Sequence, residues 1–191
     1  MKIQKGEAGY LKARKTRLTI ETILEFAIVA GIVIAGYVLN HTKLNLLTLV
    51  AILGCLPACR TLVNLIMLIP HRSINEAIEL EISGNTEYLT VLYDLVITSE
   101  RKSMPIEAIA ISNNTVCGYA KNKKVDTAYT AKHIKSILAQ NKLEKVTVKI
   151  FHDYVAFLSR AEGMNNIAAV EHNGPSRREE EISEIIKDIS L

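Results

Sequence analysis

Tryptophan is absent from the 191-residue chain and aromatic residues make up only 5% of it, so its 49% hydrophobic content has to come from Leu, Ile, Val and Ala. Cysteine is scarce too: three residues, an odd number with two inside an apolar run, argue against a disulfide scaffold. The nine glycines are scattered, and neither a Gly-rich phosphate loop nor a G-x-S-x-G elbow occurs, so nucleotide binding and serine-hydrolase chemistry have no support. No internal repeat is present. A net charge of +3 is far from the basicity of a nucleic-acid binder, and no nucleic-acid partner is expected. What charge there is divides unevenly. Residues 1–73 carry nine Lys or Arg against three acids, whereas residues 74–191 carry fourteen against seventeen. Two electrically different parts follow.

The first part is built on two apolar runs. Phe26 to Thr42 contains no Asp, Glu, Lys or Arg, with Ile20 to Glu25 as its lead-in, and Leu44 to Ile69 is long enough as well, although it contains Pro57 and Arg60. A helix needs ~20 mainly apolar residues to cross a hydrocarbon core of ~30 Å, because lipid offers no partners to backbone polar groups. Two such runs around a short Asn40–Lys43 turn predict a transmembrane hairpin, with helices at about 20–39 and 44–66. No small-residue cleavage site follows the first run, so the first helix is expected to stay attached. Lys2, Lys5, Lys12, Arg14, Lys15 and Arg17 precede the hairpin, Arg72 follows it, and Lys43 alone marks the turn. The positive-inside rule then places both termini in the cytoplasm of a plasma-membrane protein, with residues 1–19 as a basic cytoplasmic segment.

Within the hairpin, Ala27, Gly31 and Ala35 recur at four-residue steps, and so do Ala51, Cys55 and Cys59. Small residues let backbones approach in lipid, where burial gives little drive, so these six are read as helix-packing positions. Glu25 and Arg60 lie at matching depths, ~25 and ~28 Å from the turn at 1.5 Å per residue, and are read as an ion pair near the cytoplasmic boundary.

The second part, residues 74–191, is long enough for one small domain. Ser73 with Glu76 makes a capping box for a short helix ending near Gly84. Thr90 to Thr98 reads as a strand, although Leu89, Leu92, Tyr93 and Val96 also fit a helical face. Ile106–Ser112 and Thr115–Lys121 flank Asn113–Asn114 as a hairpin. Asp126 caps a helix reaching Asn141 with Ala131, Ile134, Ile137 and Leu138 on one face. Val146, Val148 and Ile150 alternate as a strand, Tyr154 to Glu162 reads as helix, and Ile167 to Val170 as a further strand. After Asn173–Gly174–Pro175, Ser176 and Glu179 form a second capping box ahead of the stripe Ile182, Ile185, Ile186, Ile189. Glu179, Glu180 and Glu181 suit that helix's dipole and are read as structural.

Few constellations carry chemistry. His152–Asp153 ends a strand, and His71, His133 and His172 show no matching ligand spacing. Cys117 sits mid-strand without a sign of activation. Lys121, Lys123 and Lys124 form a basic turn near Tyr119. No metal and no cofactor is expected.

The order helix, three strands, helix, strand resembles the core of the PD-(D/E)xK nucleases, and IEAIAISNNTVCGYAKN is similar to the NERD-type version of its hairpin, over about 50 residues. In that family two carboxylates hold a divalent metal while a Lys steadies the attacked phosphate. The resemblance puts Glu107 and Lys121 at motif positions and Tyr119 where the second acid would stand, which implies a degenerate, inactive relative. The sequence therefore predicts a transmembrane helical hairpin followed by a small α+β cytoplasmic domain. Its expected role is non-enzymatic: contact with the lipid bilayer and with a protein partner or a second copy of itself. A tethered phosphoryl enzyme using Glu107 and Lys121 is the alternative. A transporter or channel subunit relying on Glu25 and Arg60 is the third, and it requires oligomerisation.

Overall fold

The structure is a computed structural model that describes residues 3–40, 46–99, 102–171 and 176–191. Residues 41–43 of the expected turn and the Asn173–Gly174–Pro175 break lie outside the described residues. The elements run α1 (Tyr10–Asn40), α2 (Leu46–Leu68), α3 (Glu76–Asn85), β1 (Thr90–Thr98), β2 (Ser103–Ser112), β3 (Thr115–Tyr119), α4 (Thr127–Gln140), β4 (Thr147–Phe151), α5 (Tyr154–Glu171) and α6 (Arg177–Asp188). They divide into two compact units. One is Lys12–Arg72; the other joins the chain up to Leu11 with Ser73–Leu191.

The Lys12–Arg72 unit holds two helices long and apolar enough to cross a membrane. α1 begins ten residues before the expected span, because Leu11, Lys12, Ala13 and Arg14 are strong helix formers. Lys12, Arg14, Lys15 and Arg17 thus stand on its first turns. Its protected positions include Lys15, Leu18, Thr22, Glu25, Val29, Ile32 and Gly36; those of α2 include Leu47, Ala51, Gly54, Ala58, Thr61, Leu65 and Leu68. Both sets alternate steps of three and four, the period that keeps one helix facing another. A Cβ added at Gly54 would meet Val29 Cγ2 at 3.4 Å, and Thr61 Oγ1 donates to Glu25 Oε2, which fixes an antiparallel pairing. At the base, Lys15 Nζ donates to the Ile69 carbonyl at 2.9 Å and to the His71 carbonyl, meeting acceptors that the helix end leaves open.

This seam corrects the packing expected from small-residue steps. Ala27, Gly31 and Ala35 are exposed, and a Cβ at Gly31 would meet nothing. On α2, Ala51 lies in the seam, Cys55 is half-buried beside it, and Cys59 is exposed. A stripe at steps of four advances about 40° per step on a helix of 3.6 residues per turn and soon rotates away from its partner.

The other unit is a four-stranded sheet in the order β1-β2-β3-β4, antiparallel through β3 and then parallel between β3 and β4, with α4 as the crossover. Residues 90–98 are strand, which resolves their ambiguity. Leu95, Ile106, Ile109, Ile134, Leu138, Ile182 and Ile186 fill the core on the α4 and α6 side. Ala108, Ala110, Cys117, Tyr119, Phe157, Ala161 and Met164 fill the α3 and α5 side. Gly118 lets β3 and β4 approach closely, since a Cβ there would stand 2.6 Å from Ile150 Cδ1 and displace that side chain.

Local signals explain most element ends. Asn113 takes a φ of 47° in the β2–β3 turn, Asp126 accepts from Tyr129 N to start α4, and Ser176 accepts from Glu179 N to start α6. Three expectations are corrected. Asn75, not Ser73, caps α3, accepting from Ala77 N. Glu179 does not close its capping box: it leaves the helix to accept from Asn113 N at 2.6 Å and from the Thr90 hydroxyl at 3.4 Å, tying α6 to the hairpin turn. Ile167–Val170 is no strand; α5 continues to Glu171 because Phe157, Ala161, Met164 and Ala168 keep one buried helical face.

The N-terminal residues also depart from a free basic tail. Gly6, with φ +95°, accepts Tyr93 N–H at 2.7 Å, and Lys5 Nζ donates to the Ser190 carbonyl. On the same strand, Thr98 N donates to Ile189 O and Leu191 N to Val96 O. The outer edge of β1 is thereby covered by both chain ends, which removes a template for edge-to-edge association.

Candidate functional site

The most unusual backbone in the sheet lies in the middle of β1 and β2. On β1, Leu92 faces the α4 and α6 core and Tyr93 the opposite one, yet Leu95 and Ile97 return to the first side. On β2, Met104 and Ile106 share that side with Ile109 and Ile111, while Ala108 and Ala110 face away. Each strand has therefore lost one step of its two-residue alternation. Register is nevertheless kept on either side, with Tyr93 opposite Ala108 and Leu95 opposite Ile106, so the slip falls at Asp94 on one strand and Glu107 on the other, between the same two pairs. Asp94 makes it possible by adopting φ +54°, a conformation that Asp tolerates better than most residues.

The Asp94 carboxylate is turned toward the α3 and α5 side. Asp94 Oδ1 accepts the Ile74 amide at 2.8 Å, and Ile74 belongs to that core; Asp94 is 2% exposed, and its Oδ2 is buried without a hydrogen-bond partner. Glu107 is half-buried, and its Oε2 accepts Lys121 N–H at 2.7 Å. Burial pushes the Glu107 carboxyl above its ordinary pKa; the Lys121 amide and ammonium pull it down, and the charge of Asp94 pushes it up again.

Tyrosines wall the site. Tyr93 is pushed up to about 12 by burial and by Glu79. Tyr119 is raised by burial, then by Glu107 and Asp153. Tyr154, which donates to Glu81 Oε2 at 2.8 Å, is raised by burial and by that carboxylate, and its ring meets Tyr119 edge-on at 5.4 Å. All three phenols are held protonated, as donors rather than bases.

The other candidates have structural partners. His152 Nδ1 donates to the Ala120 carbonyl at 2.8 Å, joining the ends of the parallel strands, and Asp153 Oδ1 accepts from Val155 N at the start of α5. His133 contacts the Thr98 carbonyl and stacks on Tyr129, His71 belongs to the helical unit, and His172 lies outside the described residues. Cys117 is buried and its thiol is raised by burial against the opposing pull of Arg160 and Lys149, so it is no ready nucleophile. Lys121, Lys123 and Lys124 are exposed, with Lys124 N donating to Asn122 Oδ1. Among the described residues no group of three His, Cys, Asp or Glu is placed to hold a metal ion.

The expected partner of Glu25 changes as well. Its carboxylate is met by Thr61, one residue beyond Arg60, and Arg60 is exposed. Of the residues singled out in the sequence, the structure brings Glu107 and Lys121 together. It adds Asp94, whose sequence signal was a lone acid inside the apolar strand TVLYDLVIT. No family model, curated protein or solved structure matches this chain.

Proposed function

We propose that the chain is an integral membrane protein whose two-helix hairpin anchors a small α+β domain on the cytoplasmic side, where the domain binds a protein partner or a second copy of itself. The observation that carries this reading is the outward direction of the large apolar side chains on both helices: Ile20, Leu24, Ile34 and Leu39 on α1, and Leu49, Leu53, Leu56 and Val63 on α2, are exposed. In water such a surface would drive aggregation; in lipid it is solvated. Placement of both hairpin ends in one folded unit, the chain up to Leu11 and the chain from Ser73, supports termini on a single side. The basic residues on the first turns of α1 support the cytoplasmic side.

The test is alkaline extraction of membranes containing the full chain, followed by protease protection of sealed vesicles. The chain should resist extraction, and protease should cut the domain only when added from the cytoplasmic face. Release into the soluble fraction would end the anchoring reading.

A second reading, a tethered phosphoryl enzyme, is favoured by the direct contact of Glu107, midway along β2, with the amide of Lys121, just beyond the end of β3. It requires a Mg²⁺- or Mn²⁺-dependent activity of the full chain on nucleic acid or phosphoesters that Glu107→Ala abolishes.

A further inference from the structure

We propose that Asp94 and Glu107 together hold a small, hard divalent cation of the Mg²⁺ class between β1 and β2. Asp94 lies outside the nuclease-type motif, so this site does not depend on that resemblance, and it is independent of membrane anchoring.

Three observations converge on the pair. Asp94 is almost wholly buried, with one oxygen engaged by the Ile74 amide and the other, Oδ2, without any partner. A buried carboxylate oxygen normally finds a donor, so this one lacks its complement. A second carboxylate, Glu107, stands between the same two pairs of the ladder, close enough for the charge of Asp94 to act on it. Like charges on neighbouring strands repel. A divalent ion between them would satisfy Oδ2 and turn the repulsion into attraction. Finally, Glu107, which accepts from the Lys121 amide and from its own, is half-buried rather than sealed, so it offers a path from solvent to the buried acid.

The donor set selects the kind of ion. Ca²⁺ takes six to eight oxygens, whereas Mg²⁺ retains several waters and is commonly held by one or two carboxylates. Zn²⁺ prefers nitrogen and sulfur ligands, and His152 is already tied to the Ala120 carbonyl.

Mn²⁺ is the probe. It would be titrated into the metal-stripped full chain in detergent micelles, with the free ion followed by electron paramagnetic resonance and the melting temperature recorded with EDTA or Mg²⁺. Wild type should take up one Mn²⁺ per chain, displaceable by Mg²⁺. Asp94→Asn and Glu107→Gln should each weaken uptake about tenfold or more. Both variants keep the oxygen that accepts the Ile74 or Lys121 amide, so both should fold. In EDTA they should melt above wild type, because one of two neighbouring charges is gone, and Mg²⁺ should raise the melting temperature of wild type alone. Absence of Mn²⁺ uptake by wild type, or variants that hold it as tightly, would overturn the site.

Discussion

The two units place many of their large apolar side chains differently. In the α+β unit Ile106, Ile109, Ile111 and Phe157 are sealed inside; in the helical unit Ile20, Leu24, Ile34 and Leu39 stand outside, and Ala51, Gly54 and Ala58 lie between the helices. One rule of burial cannot produce both. The α+β unit follows the hydrophobic effect, which removes apolar area from water. The helices follow close packing: where the surroundings are as apolar as Leu, burial yields nothing and backbone proximity decides. The proposed lipid environment accounts for the reversal.

Substitutions that are mild in one unit should therefore be severe in the other. The largest expected effect is in the α+β core. Phe157→Ala removes a wholly buried ring stacked against Tyr119 at 5.9 Å and should cost about 3–5 kcal/mol, whereas Ile34→Ala on the outer face of α1 should cost less than about 0.5 kcal/mol. Tyrosine emission during denaturant unfolding in micelles reads the difference, since the chain has no Trp. Equal effects would remove the contrast.

Enlarging a small residue should give the converse. Ala58→Leu forces a bulky side chain into the seam and should cost about 1–3 kcal/mol, while Ala27→Leu, on the exposed face, should leave the helix pair intact. Disulfide cross-linking between Val29→Cys and Gly54→Cys, with Cys55 and Cys59 replaced by Ala, should fail for the first and persist for the second. Loss of the cross-link with Ala27→Leu would restore the four-residue stripe as the packing face.

A smaller effect separates Thr61 from Arg60. Thr61→Val should weaken the pairing by about 0.6 kcal/mol, the usual size of an interhelical hydrogen bond in lipid, and should couple to Glu25→Gln in a double-mutant cycle. Arg60→Gln should show no coupling. Coupling of Arg60 instead would bring back the ion pair.

Legibility differed between the units for the same physical reasons. The strands over 106–112 and 147–151, the Asn113 turn and the Asp126 and Ser176 caps could be read because β-branching, positive φ and side-chain acceptors act within a few residues, whereas 90–98 fitted strand and helix alike. Ser73 and Asn75 are both able caps, and sequence alone could not choose between them. The site was half legible. Glu107 and Lys121 stood out through a motif, but the placement of Asp94 and Glu107 between the same two pairs follows from register and from a matched slip on two strands, and alternation counted along one strand cannot reveal either. In the helical unit, composition announced the helices, yet the seam follows a period of three and four that the more conspicuous small residues do not share.

The smallest expected effect lies at the base of the hairpin and sharpens the contrast by pH. His71 is nearly buried, and its imidazole is held below its ordinary pKa first by burial and then by the positive charge of Lys15, whose ammonium also donates to the His71 carbonyl. The folded chain therefore binds this proton less readily than the unfolded chain. Stability is full above about pH 6.5, the ordinary histidine value, and declines as pH falls from there through the lowered folded value, because the unfolded state takes up the proton first. Amide protection near the end of α2, with exchange corrected for its intrinsic pH dependence, should fall over that acid range while protection in β2 and β3 stays level. His71→Gln should flatten the response. If β2 and β3 loosen in parallel, the acid sensitivity does not originate at His71, and the two units do not respond to acid separately.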